Sequence, residues 1–143
     1  MPYDLNGRPE RRPRLHRLLR RTVEELTPGD PGLVPVAESD DDTAAASAVL
    51  DASPGFDPEV QSVLWHLLEL PDESVTEVLR LVAQDNYERM PVPDGLDGAG
   101  RLAVARVQRV DALHVSQERS RMAGVTARHG GRALRWRVLQ IPG

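Results

Sequence analysis

The sequence predicts a mainly α fold: a small helical bundle organised on an antiparallel helix pair at about 58–70 and 72–89, with a C-terminal β-hairpin at about 124–141. Three observations lead there. Val60, Val63, Leu64, Leu67 and Leu68 fall at the spacing of a one-sided helix, and Val75, Val78, Leu79 and Val82 repeat it. Pro71 separates the two runs, which makes the connection short and the neighbours antiparallel. Gly130-Gly131 then stands between Val125-Thr126-Ala127 and the alternating Leu134, Trp136 and Val138, a two-residue hairpin signal that competes with a final helix.

Taken in order, residues 1–13 hold Pro2, Gly7, Pro9 and Pro13 among charges and are expected to be a disordered lead-in. Residues 14–26 form an amphipathic basic helix, with Leu15, Leu18, Leu19, Val23 and Leu26 on one face and Arg14, Arg17, Arg20 and Arg21 on the other. Residues 27–57 read as an acidic linker rich in Pro and Gly, with a short helix at 43–52 where three aspartates precede an Ala-rich stretch.

The remainder, 58–143, is the helical core with an Arg-rich C-terminal section. Asp57-Pro58-Glu59 supplies a helix start: a capping carboxylate, a proline that needs no donor, and an acid at the positive end of the dipole. Asp72 and Glu73 repeat the logic for the second helix. Met90–Gly100 reads as a loop, and LAVARVQRVDALHV after it is assigned to helix on its length and alanine content. The two central helices bury too little apolar surface to stand alone, so they must borrow cover from flanking elements or from a second subunit.

Composition narrows the functions. A chain of 143 residues fits one domain. Zero cysteine excludes disulfides, thiolate metal sites and cysteine nucleophiles. All 18 basic residues are arginine, which removes phosphate-loop and Schiff-base lysines, and a high-GC coding bias accounts for the pattern. No apolar run reaches the length of a membrane span, and the N-terminus runs into arginines without an apolar segment, so the cytoplasm is the expected location.

The net charge of −4 hides a segregated layout: residues 1–21 carry +5, residues 22–100 carry −16 and residues 101–143 carry +7. Basic ends flank an acidic middle.

No catalytic, cofactor or metal site is expected. His16, His66, His114 and His129 are spread over four segments, the Asp40-Asp41-Asp42 run lacks the alternating ligands and glycine of a cation loop, and neither H-E-x-x-H nor G-x-S-x-G occurs. Two function classes remain. The first is a non-enzymatic protein-interaction module, an adaptor, an antitoxin-like protein or a self-associating regulator. Its candidate contacts are Trp65 and Leu81, which fall off their helical stripes. The alternative is a nucleic-acid-binding protein that uses Arg14, Arg17, Arg20, Arg21, Arg128, Arg132, Arg135 and Arg137 on phosphates, with Trp136 stacking on a base.

Overall fold

Strand β2, Ser62–Glu69, lies at the centre of a five-stranded sheet, and every one of residues 62–68 is buried. A computed structural model of the chain describes residues 2–10 and 25–143. Its elements in order are β1 (Val34–Ser39), α1 (Ala46–Asp51), β2, α2 (Asp72–Ala83), β3 (Glu88–Met90), β4 (Arg101–Gln108), α3 (Ala112–Ala127) and β5 (Arg132–Gln140). The sheet order is β1-β5-β2-β4-β3 with every neighbour antiparallel. From β2 to β5 the chain follows the β-α-β-β-α-β succession of a split β-α-β, ferredoxin-like arrangement; β1 and α1 are added before it.

This corrects the mainly helical expectation, since strands and helices contribute about equally. The segment 58–70 is not a helix. SVLWHLLE is a strand buried on both faces, and a short apolar run of that kind also satisfies a helical spacing. Asp57 does accept a backbone N–H, that of Glu59 at 2.9 Å, but in a turn before β2 instead of at a helix start. The second helix ends at Ala83, and residues 88–90 of the expected 72–89 helix and beyond form the edge strand β3.

The C-terminal section divides differently from the expectation as well. Arg101–Gln108 is a strand, and α3 follows, started by Asp111, whose carboxylate accepts from His114 N at 2.8 Å. The expected hairpin at 124–141 is absent. Val125-Thr126-Ala127 is the last turn of α3, and Gly130-Gly131 ends that helix, with Gly130 at φ 79° and Gly131 N–H donating to Thr126 O at 2.8 Å. β5 then pairs with β1 and β2, not with residues 125–127.

Other expectations fall as follows. Helix α1 lies inside the 43–52 stretch, while β1 gives the 27–57 linker an ordered strand. Of the disordered lead-in expected at 1–13, residues 2–10 instead form a closed loop with a Tyr3–Pro9 bridge, and residues 1 and 11–13 lie outside the described residues. Of the 14–26 basic helix, all but Glu25 and Leu26 lies outside the described residues, and those two are not helical. No helix among the described residues is long and apolar enough to cross a membrane.

All three helices among the described residues pack on one face of the sheet. Leu68, Leu102 and Val104 meet Val78 and Val82 of α2 and Met122 and Val125 of α3, and Leu64, Trp136 and Val138 meet Ala46 and Leu50 of α1 and Val115 of α3. The opposite face presents Val63, Trp65, Leu67, Ala103, Ala105 and Val107, with Tyr3, Leu26, Leu33, Val92 and Leu96 packed against it. The sheet edges are β1, which carries Pro35 and a register shift between Pro35 and Ala37, and the three-residue β3.

Gly131 shows how tightly α3 hands over to β5. A Cβ at this position would meet the carbonyl oxygen of Glu69 and crowd Leu70 Cδ2 at 2.8 Å. Gly131→Ala is therefore expected to destabilise the protein by about 1–3 kcal/mol, read as a lower urea midpoint. An unchanged midpoint would show that β5 is not held this closely to β2.

Candidate functional site

Chemistry-bearing side chains converge where β2 and β4 meet α3 and the end of α2. β4 is apolar through LAVARV except for Arg106, which register places beside Leu64 on the helix-covered face. A guanidinium there must be paired, and it is. Arg106 lies 3.2 Å from Glu118 Oε1 of α3, donates through Nε to Gln108 Oε1 at 2.7 Å and through a terminal nitrogen to Asp85 O at 3.1 Å. Its plane sits 4.6 Å over the Tyr87 ring. Tyr87 donates its hydroxyl to the same Glu118 oxygen at 2.7 Å, and His66 Nε2 lies 3.3 Å from that hydroxyl. Arg121 adds ion pairs to Glu118 and Asp85.

Burial sets the charge state. Desolvation, reinforced by the positive charges of Arg106 and Arg119, holds the His66 pKa down at about 3, so the ring is neutral. Burial together with the Glu118 carboxylate pushes the Tyr87 hydroxyl well above the usual tyrosine range. The buried part of the cluster therefore pairs Arg106 with Glu118 beside two neutral rings, with the Arg121–Asp85 pair at its more exposed edge. Arg106 is 3% exposed, Tyr87 3% and His66 1%, and the groups partner one another as an internal network.

The N-terminal loop lies over this network and wraps the adjoining ends of β2 and β4. Gln61 bonds both main-chain groups of Tyr3, accepting from N and donating to O at 2.7 Å each. Gln108 Nε2 donates to Leu5 O at 3.0 Å, Asn86 Nδ2 to Gly7 O at 3.2 Å, and Arg109 N to Asp4 O at 2.9 Å. Gly7 has φ 70°, and a Cβ there would lie 2.7 Å from Arg106 Cδ and Nε. Asn86, which also has φ 70°, turns its amide towards the loop from the corner after α2.

The residues singled out from sequence lie elsewhere. Trp65 is only 5% exposed, on the opposite face of the sheet, with the Arg137 guanidinium 4.9 Å over its ring; Leu81 packs against the α2 side of the core. Trp136 is 3% exposed on the helix-covered face beneath Arg119, so it is not available to stack on a base. Arg132 pairs with Glu69, Arg135 with Glu38 and Asp40, and Arg137 Nε lies 2.8 Å from Glu38. Arg128 is exposed at the end of α3, and Arg14, Arg17, Arg20 and Arg21 lie outside the described residues. Asp41 of the aspartate run accepts from Thr43 N and Oγ1, which lowers its pKa, and among the described residues no group of three or more potential ligands could hold a metal ion.

Sequence reasoning missed Gln61, Asn86 and Gln108 and placed Arg106 among basic residues facing a phosphate instead of in a buried network, although a charge inside an apolar run was a signal of it. Comparisons with models of protein families, with curated proteins and with solved structures find no match to this chain.

Proposed function

We propose that the chain is a non-enzymatic protein-interaction module acting in the cytoplasm, a small adaptor or regulator that binds another polypeptide or a second copy of itself. The observation that supports this reading is the way residues 2–10 are held. Side-chain amides of Gln61, Asn86 and Gln108 grip the main chain of a segment that adds no strand to the sheet. A surface that holds one polypeptide segment through its main chain has the chemistry to hold another.

The nucleic-acid alternative rests on the arginine-rich termini, and the surroundings of the nine arginines in residues 101–143 weigh against it. Seven of them, Arg101, Arg106, Arg109, Arg121, Arg132, Arg135 and Arg137, have a carboxylate partner within the chain. Arg119 donates to Ala44 O and Asp41 O. A phosphate would have to displace those partners, so the counterion release that drives nucleic-acid binding is largely forfeited.

Light scattering and cross-linking over a wide concentration range, with a nucleic-acid shift assay at two salt concentrations, test the proposal. Mass that rises with concentration, or a stoichiometric protein partner, is expected, with no shifted nucleic acid. A strictly monomeric chain that shifts DNA or RNA in a salt-dependent way would overturn it.

A further inference from the structure

We infer that residues 2–10 occupy a peptide-docking site in cis, and that its partner in trans is a short loop of the same chemistry, an aromatic residue followed by an Asp-x-x-Gly turn. This rests on the protein-interaction reading and names its site. The contacts from Gln61, Asn86, Gln108 and Arg109 N all go to main-chain atoms of residues 3, 4, 5 and 7, so most side chains of the loop are not read. Three positions are selected. Tyr3 packs its ring with the Trp65 side of the sheet, residue 7 must be glycine because Arg106 fills the space where a side chain would go, and the Glu10 carboxylate lies 3.7 Å from Arg109.

The loop is organised before it docks. The Asp4 carboxylate accepts from Asn6 N and Arg8 N at 2.9 Å each, and Glu10 N donates to Pro2 O at 2.8 Å. A free peptide with this turn keeps part of its bound shape, which lowers the ordering cost of binding. Departure of the loop breaks no strand pairing, because the Tyr3–Pro9 bridge is internal to it. It does leave the amides of Gln61 and Asn86 without these partners, takes Leu5 O from Gln108 Nε2, which keeps Arg109 O at 3.1 Å, and uncovers one side of Arg106, so an incoming main chain would restore the lost bonds. Tethering sets the competition: a cis segment acts at an effective concentration on the order of mM, which holds off a peptide of ~10 µM intrinsic affinity by roughly 100-fold.

The test uses the full chain and a fluorescein-labelled peptide of residues 2–10, PYDLNGRPE, read by fluorescence anisotropy. Gly7→Val opposes both the positive φ and the contact with Arg106, and Asp4→Ala removes the two carboxylate bonds within the cis loop while leaving the docking residues intact. Each variant is expected to bind the labelled peptide at least tenfold more tightly than the unaltered chain, and adding Gln61→Ala to either should abolish the gain. Equal binding by the unaltered chain and both folded variants, or none by any of them, overturns the inference; if Gly7→Val does not fold, Asp4→Ala decides it. Self-association or a stoichiometric partner without any gain in peptide binding defeats this inference and leaves the broader reading standing. A monomeric chain that ignores the peptide defeats both.

Discussion

Glu118→Leu is expected to be among the most damaging single substitutions in the protein, lowering stability by about 3–5 kcal/mol, the usual cost of stranding one partner of a buried ion pair. Arg106, 3% exposed, would keep Gln108 and the Asp85 carbonyl but lose its nearest carboxylate, and the Tyr87 hydroxyl would lose its carboxylate acceptor at 2.7 Å. Against a total stability of about 5–15 kcal/mol this is a large fraction, and urea unfolding should show the midpoint falling by at least about 1 M. The double variant Arg106→Met/Glu118→Leu removes both charges and should recover most of the loss, since replacing a whole buried pair with apolar groups is close to neutral. A single variant within about 0.5 kcal/mol of the unaltered chain would mean that water reaches the pair in solution.

Acid sensitivity traceable to one histidine is the second large effect. His66 is neutral in the fold with its pKa down at about 3, whereas the unfolded chain takes up a proton near pH 6.5. The stability associated with the neutral ring is therefore complete above pH 6.5 and is lost as pH falls towards 3. Between pH 6.5 and 5.0, before most carboxylates titrate, His66 alone should cost about 2 kcal/mol. His66→Gln keeps a group able to meet the Tyr87 hydroxyl and should flatten the stability profile in that window. An unchanged slope in the variant would locate the acid sensitivity elsewhere.

Much of the local structure was legible in the sequence, and the fold class was not. Pro71, Asp72 and Glu73 marked the start of α2 correctly because capping and dipole preferences are local. The Ala-rich stretch after the aspartates does hold α1. The failure came at SVLWHLLE and LAVARVQ, strands with helices or loops over both faces, which lack the alternation that identifies a half-exposed strand. Val63, Leu64, Leu67 and Leu68 match a helical stripe by spacing, but Trp65, which falls off that stripe, and His66 are also buried. A run with no polar face should have counted against an amphipathic helix.

The site was harder to read. Gln61 and Gln108 are ordinary polar residues until β2 and β4 align their ends beneath residues 3–5, a pairing that no local pattern encodes. The segregated charge, in contrast, was visible from the start, and its physical use is internal: Arg135 and Arg137 reach Glu38 across the β1–β5 pair, and Arg132 reaches Glu69 across the β2–β5 pair.

The two borders of the sheet carry a consequence for how copies of this protein meet. On β1, Pro35 withholds a donor from any incoming chain and the neighbouring register shift spoils a regular ladder, while β3 offers only three residues of template. Neither border suits end-to-end growth into a continuous ribbon, so crowding at high concentration should yield finite assemblies instead of fibrils.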